Sequence, residues 1–239
     1  MYKCIIVEGP DNVGKDTVIN TIKSIYSEHN KSIGNGDSLI YNIHFMKPAY
    51  PNDCTSVEDK IKWSFNYYKK IMVFYYKTII DSELNRPLPD PIYPDCIVFN
   101  RSWLGELVYG PLYRGFESRK MKDWFTALDG AVVEELCNKY YHVTRETIVD
   151  IIYNKTLLLH LDAPTPFIAR HDDGKSQSQN DMNLIETERR LFDQIGEFIQ
   201  DNDIYKYYKL TMTEHNDSVP VWKDKDSTLP EELKSVLDV

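Results

Sequence analysis

The segment directly after the first apolar run of the chain has the pattern G-x-x-x-x-G-K, from Gly9 to Lys15. The preceding run, residues 2–8, is short and apolar and is followed by glycine, which predicts a buried parallel strand. Apolar residues then recur at helical spacing, so a helix is predicted over residues 15–28. Backbone N–H groups between a strand and a helix N-terminus suit an anion, and the lysine reaches its terminal oxygens. The sequence therefore predicts a phosphate-binding loop.

The loop and the first helical turn are expected to surround the phosphates of a nucleoside triphosphate. The residues expected to do so are Gly9, Asn12, Val13, Gly14, Lys15, Asp16 and Thr17. Asp16 stands where a Ser or Thr usually holds Mg²⁺. A carboxylate is a hard oxygen ligand, so Asp16 could bind Mg²⁺ directly or through water, and Thr17 could serve if the register shifts. Alternatively, Asp16 only favours the positive N-terminus of the helix.

Strand-like and helix-like segments alternate along the chain. Further strands are predicted at residues 39–45, 96–99, 156–161 and 205–210, and helical patterns occupy residues 56–84, much of 102–150, 182–200 and 230–237. This order predicts an α/β fold with a five-stranded parallel sheet flanked by helices. No linker divides the chain, so residues 1–239 are expected to form one domain. The polar stretch at about 171–181 is predicted to be either a surface loop or a mobile lid.

Composition narrows the classes of partner. The net charge of −9 argues against sequence-independent nucleic-acid binding, which depends on clustered Lys and Arg. No apolar run is long enough to span a bilayer, and the first residues enter a strand instead of a signal peptide. The four cysteines have no C-x-x-C spacing, which fits free thiols in a reducing cytoplasm. We therefore expect small-molecule ligands, no membrane partner and a cytoplasmic location.

The string E-G-x-D-x-x-G-K, from Glu8 to Lys15, resembles the thymidylate kinase family of nucleoside monophosphate kinases. Four further markers follow in the family's order, and the resemblance covers residues 1 to about 200. They are Asn100-Arg101 after the third strand, Tyr109 eight residues after that arginine, Leu161-Asp162 with Arg170 before the predicted lid, and Glu186, Glu188 and Phe192 after it. Residues 104–115 also resemble nucleotide kinases encoded by bacteriophages.

The resemblance implies a P-loop nucleoside monophosphate kinase fold with a lid at about 171–181. It implies transfer of the γ-phosphoryl group of ATP, with Mg²⁺, to a deoxynucleoside monophosphate. The favoured acceptor is dTMP, giving dTDP. The family also implies a homodimer, and the helix at residues 56–84, which is apolar on more than one face, is a candidate interface.

By the same resemblance, Lys15, Arg101 and Arg170 are the expected catalytic residues. Arg101 would bind the acceptor phosphate, Asp11 the 3′-hydroxyl of the sugar, and Tyr109 would pack beneath that sugar. Other acceptor-side residues would be Lys47, Phe65, Lys69 and Arg114, and the lid would contribute Arg170 and Lys175. The competing interpretations are structural: core packing for Phe65 and Tyr109, a surface ion pair for Arg101, and exposure to solvent for Arg114.

Several positions depart from the family pattern. Asn100 stands in place of an Asp, so a carboxylate near the metal is either lost or supplied by Asp16. Lys47 stands in place of an Arg and Gly110 in place of a Gln. Trp63 and Tyr67 have the same spacing as Phe65 and Lys69, so the register of a base-stacking pair stays open. Glu106 is either a site carboxylate or a residue of a helix surface, and the surface is favoured.

Two other functions remain possible. In a deoxynucleoside kinase, Glu8 would act as a general base toward a 5′-hydroxyl, and Arg101-Ser102 would match that family. Asp11 and the Glu186/Glu188 pattern weigh against this alternative. A catalytically silent nucleotide-binding regulator is suggested by Asp16 and Asn100, both of which depart from the pattern near the expected metal.

Overall fold

The computed structural model describes residues 1–44, 49–84, 93–171, 176–212 and 229–237. Five strands form one sheet in the order β2-β3-β1-β4-β5, and every pairing is parallel. The strands are β1 (Cys4–Glu8), β2 (Ile40–His44), β3 (Cys96–Asn100), β4 (Thr156–Asp162) and β5 (Lys206–Thr211). The predicted five-stranded parallel sheet flanked by helices is confirmed.

Eight α-helices connect and follow these strands within the described residues. They are α1 (Lys15–Ser32), α2 (Val57–Glu83), α3 (Glu106–Tyr113), α4 (Ser118–Lys139), α5 (Arg145–Asn154), α6 (Thr165–Arg170), α7 (Met182–Asp201) and α8 (Leu229–Leu237). A 3₁₀ turn, Trp103–Gly105, precedes α3. Among these helices, none is both long enough and apolar enough to cross a bilayer.

The two faces of the sheet are buried in separate hydrophobic cores. Alternate residues of β1 point to opposite faces, so Cys4 and Ile6 join one core while Ile5 and Val7 join the other. The first core includes residues of α2, α3, α4, α5 and α7, and the second includes residues of α1, α6 and α8. Burial on both faces explains why the central strands are continuous apolar runs.

Polar contacts at the helix ends, more than the spacing of apolar residues, determine where α1 ends and α2 begins. Ser56 and Asp59 form a capping box at the start of α2, in which the Ser56 Oγ accepts from the Asp59 N–H at 3.0 Å. Helix α1 continues to Ser32, four residues beyond the predicted end. Its last turn contains no large apolar residue, but the buried Asn30 donates its side-chain amide to Asp95 at 3.0 Å. That polar anchor holds the extra turn.

The strands end together at one edge of the sheet. In register, Val7 of β1 pairs with Asn100 of β3, and Glu8 pairs with His160 of β4. Ligands of open parallel sheets bind beyond the carboxyl ends of the strands. The loop between β1 and α1 therefore lies where the fold class places a ligand site.

The backbone at Gly9 accepts only glycine. Its φ is +147°, and a Cβ placed there would lie 2.3 Å from the Leu161 carbonyl oxygen. We expect Gly9→Ala to lower the free energy of unfolding by about 1–3 kcal/mol, measured by urea denaturation. The control is Gly130→Ala in α4, where a Cβ meets no atom within 4 Å; we expect it to stabilise by about 0.5–1 kcal/mol. Equal effects of the two substitutions would contradict the close approach of Gly9 to β4.

Candidate functional site

The loop between β1 and α1 has the backbone shape of an anion-binding nest. Gly9 (φ 147°), Asn12 (φ 63°) and Gly14 (φ 93°) all have positive φ, and Gly14 is the N-cap of α1. Val13 is completely buried in the core beneath the loop, so it anchors the turn from below. Such alternation turns successive N–H groups toward one concavity, and the helix adds its positive end.

Lys15 folds back over this loop. Its Nζ donates to the Gly9 carbonyl at 2.9 Å and to the Pro10 carbonyl at 2.6 Å. Burial lowers the pKa of Lys15 to about 8, and the positive charge of Arg101 contributes in the same direction. A desolvated ammonium held at a helix N-terminus is a strong site for phosphate oxygens.

A cavity of about 360 Å³ opens beside the loop. The predicted residues that line it are Asn12, Gly14, Lys15, Asp16, Thr17 and Arg101. The structure therefore brings the phosphate loop and the expected acceptor arginine to one cavity. Four lining residues were not predicted from sequence: His44, Phe167, His171 and Met212. Of these, Phe167 and His171 have the i, i+4 spacing of neighbours on a helix, and their rings stack at 4.1 Å, a signal that could have been found.

Asp16 and Asn100 meet across this cavity. The Asn100 Nδ2 donates to Asp16 Oδ1 at 2.7 Å, which fixes the amide orientation because a flipped amide would set two oxygens against each other. Asn100 is 2% exposed, and its Oδ1 has no hydrogen-bond partner in the described part of the chain. A carboxylate beside an orphaned amide oxygen is a donor set that suits Mg²⁺. Asp16, Thr17 and Asn100 are therefore the residues that fit the metal implied by the family resemblance.

Within the described residues, no group of three or more His, Cys, Asp or Glu is placed to hold a metal by itself. Mg²⁺ usually binds through one or two carboxylates together with substrate phosphates and water.

Arg101 and Asp11 form an ion pair at the same edge of the sheet. Arg101 follows β3 directly, and its φ of 67° lies in the left-handed region. Its N–H donates to the Val7 carbonyl at 3.0 Å, so the main chain holds the turn. Asp11 belongs to the phosphate loop and is nearly buried. The two predicted acceptor residues are thus held together, one from the loop and one from β3.

Two buried carboxyl groups stand near this ion pair. Glu8, the last residue of β1, accepts a hydrogen bond from the Ser102 hydroxyl at 2.7 Å, and burial raises its pKa to about 7. Glu188 of α7 accepts from the Tyr113 hydroxyl, and burial raises its pKa to about 7 as well. The sequence marked Glu188 as part of a motif, but its burial was not apparent there.

Tyr109 is packed between aromatic rings. Its ring lies 6.1 Å from Tyr113 and 6.0 Å from Phe192. Its hydroxyl is buried and has no partner within the described segments. The nearby charges of Asp11, Glu188 and Arg101 act on the same hydroxyl, which places Tyr109 beside the charged cluster.

Glu106 and Arg114 are not where the sequence suggested. Glu106 is 2% exposed, so its prediction as a surface residue is wrong. It forms an ion pair with Arg114 and also accepts from the hydroxyls of Tyr50 at 3.2 Å and Tyr68 at 3.1 Å. Arg114 is buried in this pair instead of being exposed to solvent, and its guanidinium lies 5.9 Å from the Tyr50 ring centroid. The charge of Arg114 is therefore compensated within the protein.

The two candidate stacking pairs on α2 have different environments. Phe65 packs edge-on against Trp124 of α4 at 6.3 Å, and Lys69 forms an ion pair with Glu135 of the same helix at 3.1 Å. Trp63 and Tyr67 instead stack on each other at 4.8 Å with an interplanar angle of 12°. Phe65 and Lys69 therefore both contact α4, whereas Trp63 and Tyr67 contact each other.

Arg170 is the exposed last residue of α6, just before the predicted lid. On the far side of that segment, Arg189 of α7 donates to both carboxylate oxygens of Asp162, at 2.7 and 3.1 Å, and to Thr165 at 2.9 Å. Glu186 accepts from Thr165 and Arg189 as well. The two helices that flank the predicted lid segment are therefore tied to the end of β4. The predicted site residues Lys47 and Lys175 lie outside the described residues.

The sequence matches no protein-family model and no curated protein. Three solved structures with similar folds are a thymidylate kinase from Ehrlichia chaffeensis, a deoxyadenosine kinase from M. mycoides with bound dATP, and the YorR protein from Bacillus subtilis in complex with phosphorylated GDP. Their identities to this chain are 13%, 13% and 12%, and their TM-scores are 0.46, 0.44 and 0.42. The alignments cover 100%, 99% and 98% of this chain and 99%, 100% and 95% of those chains.

The ion pair of Glu106 and Arg114 is buried on both sides, so removing one partner leaves an uncompensated charge. We expect Glu106→Ala to lower the free energy of unfolding by about 3–5 kcal/mol in chemical denaturation. The control is Glu117→Ala, which breaks an exposed pair with Arg119 and Lys120 and should change stability by less than about 1 kcal/mol. A small effect of Glu106→Ala would mean that the Glu106 carboxylate is exposed to water, which would contradict the buried ion pair.

Proposed function

We propose that this protein is an ATP-dependent kinase that transfers the γ-phosphoryl group to a deoxynucleoside monophosphate, with dTMP the favoured acceptor. The observation that carries the proposal is that Lys15 and Arg101 line one cavity, with Asp11 of the phosphate loop bound to Arg101. A donor-phosphate site and a guanidinium for a second anion therefore stand side by side. Phosphoryl transfer needs this alignment and this compensation of charge more than it needs covalent chemistry.

On the donor side, the nest from Gly9 to Gly14 would bind phosphate oxygens through backbone N–H groups. Lys15 would exchange its two carbonyl partners for oxygens of the β- and γ-phosphates. Mg²⁺, when bound with ATP, would neutralise developing charge on these phosphates. Asp16 and Thr17 are the residues proposed to hold it.

On the acceptor side, a monophosphate supplies its own nucleophilic oxygen, so no strong base is required. Arg101 would bind two acceptor-phosphate oxygens through its planar guanidinium. Asp11 would accept from the 3′-hydroxyl of the sugar, and the buried Tyr109 would pack beneath that sugar and exclude a 2′-hydroxyl. A pocket closed at the 2′ position of the sugar would favour deoxynucleotides over ribonucleotides.

The remaining predicted contacts stay proposals. Arg170 and Lys175 would bring positive charge from the lid, and Lys47 would add a cation near the acceptor phosphate. Phe65 and Lys69 would reach the base only if their contacts with α4 are given up. The charge of Arg114 is already paired with Glu106, and its guanidinium lies beside Tyr50. A contact of Arg114 with the acceptor would therefore have to form from that position.

A second candidate function, phosphorylation of a deoxynucleoside 5′-hydroxyl, is favoured by one observation. Glu8 is buried beside the phosphate loop, its pKa is raised to about 7 by burial, and its Oε2 has no partner in the described part of the chain. A hydroxyl nucleophile needs a base of this kind, whereas a phosphate nucleophile does not.

Acceptor specificity separates these functions. Purified protein with Mg²⁺ and radiolabelled ATP would be offered thymidine, dTMP, the other common deoxynucleoside monophosphates and dUMP, each singly. We expect transfer to dTMP and none to thymidine. Transfer to a nucleoside alone would establish the second candidate, and ATP binding with no transfer to any acceptor would establish a silent nucleotide-binding protein.

Two variants test the acceptor side by different readouts. Glu8→Gln should abolish a rate that rises with pH through about 7 if Glu8 is a general base, since only the deprotonated carboxylate accepts a proton. For the monophosphate kinase, we expect no such rise that depends on Glu8.

Arg101→Ala should raise the acceptor KM and lower kcat while leaving ATP affinity near that of the unmodified protein. Loss of ATP binding by Arg101→Ala would contradict its assignment to the acceptor.

We further propose that the protein is a homodimer that uses the outer face of α2. Phe74 on this helix is 63% exposed, so the outer face of α2 carries a large apolar side chain that a second chain could cover. Sedimentation equilibrium should give a mass near twice the 28.0 kDa of one chain, and Phe74→Asp should shift the mass toward one chain. A single-chain mass for the unmodified protein at micromolar concentration would refute the dimer.

A further inference from the structure

Two sequence departures that lie 84 positions apart are in direct contact. In P-loop proteins, the hydroxyl that follows the loop lysine and an Asp on a neighbouring strand commonly serve Mg²⁺ together. Here the position after Lys15 is Asp16, the position at the end of β3 is Asn100, and the two side chains share a hydrogen bond of 2.7 Å. The departures are therefore one structural feature instead of two separate losses.

The exchange leaves the chemistry of the pair unchanged in kind. Each arrangement has one carboxylate and one neutral hydrogen-bonding side chain, so the local charge is the same. What differs is the element that supplies the negative charge, which is now the first turn of α1 instead of the end of β3. The carboxylate also has the positive N-terminus of the helix as a neighbour.

Asn100 has the properties of a residue that orients another. It is 2% exposed, its backbone is fixed in the ladder with Val7 and His44, and its Nδ2 occupies only Oδ1 of Asp16. Among the described residues, Asn100 is the side-chain partner of Asp16, so the second carboxylate oxygen can take another ligand. In addition, the orphaned Asn100 Oδ1 is a buried acceptor in the wall of the same cavity.

We propose that the carboxylate that holds the divalent cation has moved from β3 to α1, so that Asp16 is the cation ligand and Asn100 is its positioning residue. The proposal rests on the proposed function, because it needs a triphosphate in the cavity. One oxygen of Asp16 is held by the Asn100 amide, and the other is free for a hard cation that keeps most of its water and phosphate ligands. Because partners of this kind orient the ligand, their loss lowers metal affinity by about 10–100-fold.

This assignment differs from the simpler role of Asp16 as a favourable charge at a helix N-terminus. A charge that acts only on the helix needs no partner from another element, since it interacts with the N–H groups of its own first turn. The buried Asn100 amide N–H needs an acceptor in either case, so the observation that separates the two roles is its Oδ1, which lies in the cavity wall without a hydrogen-bond partner among the described residues. The contact and the orphaned oxygen together indicate a site for a cation.

The test measures binding in the absence of turnover. Affinity for a non-hydrolysable ATP analogue would be determined by calorimetry with Mg²⁺ and with EDTA, and the ratio of the two affinities gives the gain due to the metal. Electron paramagnetic resonance of Mn²⁺ with the same analogue would give metal affinity directly. We expect Asp16→Asn and Asn100→Ala each to reduce the gain by about tenfold or more. Affinity in EDTA should change little.

The decisive variant is the double exchange Asp16→Asn with Asn100→Asp. It returns the carboxylate to β3 and keeps an amide opposite it, so we expect the metal-dependent gain to recover beyond that of Asp16→Asn alone. The matched control is Glu58→Gln, which removes one exposed carboxylate from the first turn of α2 and should leave the gain unchanged. If Asp16→Asn does not fold, Asp16→Ala, which removes both oxygen ligands, is measured instead.

Three results would overturn the proposal: an unchanged gain in Asp16→Asn, no recovery in a folded double variant, or loss of the gain in Thr17→Val while Asp16→Asn keeps it. The absence of any metal-dependent gain in the unmodified protein would overturn it as well. Failure of the proposed function is a different result, since the analogue would then not bind even in EDTA or no acceptor would be phosphorylated.

Discussion

The structure depends on a group of charged side chains held almost out of water at the end of the central strand. Glu8, Asp11, Lys15, Arg101 and Glu188 come from β1, the phosphate loop, α1, the turn after β3 and α7. Burial raises the pKa of Glu8 and Glu188 to about 7 and lowers that of Lys15 to about 8. Buried charges are tolerated only when they are paired and hydrogen-bonded, so the two cations and three carboxyls must meet at one place. Such strongly shifted pKa values in a cleft are typical of functional sites.

The sheet and the phosphate loop could be predicted from sequence because both give local signals. A strand buried on both faces is a continuous apolar run, and all five predicted strands are found within two residues of their described ends. The loop is recognisable because glycine is favoured where φ is positive, as at Gly9 and Gly14. Helix α1 was predicted too short because its last turn is held by Asn30 and Asp95, a contact between distant segments.

The side-chain partners could not be predicted in the same way, because they depend on which elements meet in space. Glu106 looked like a surface residue of a short helix, yet it is surrounded by hydroxyls of Tyr50 and Tyr68 and by Arg114. The sequence connected Asp16 with Asn100 only through the family pattern, and their hydrogen bond depends on the adjacency of α1 and β3. The family pattern also named Arg101 and Asp11, which the structure joins in an ion pair, but their roles stay predictions, as do those of Lys47 and Lys175.

The close approach of Gly9 to β4 has a mechanical consequence. The start of the phosphate loop packs against the Leu161 carbonyl oxygen of β4, the strand that leads, through Asp162, into α6. Arg189 clamps that same Asp162 to α7. The phosphate loop, α6 and α7 are therefore joined through the end of β4. A substitution that displaces Asp162 would be felt at the loop as well as at both helices.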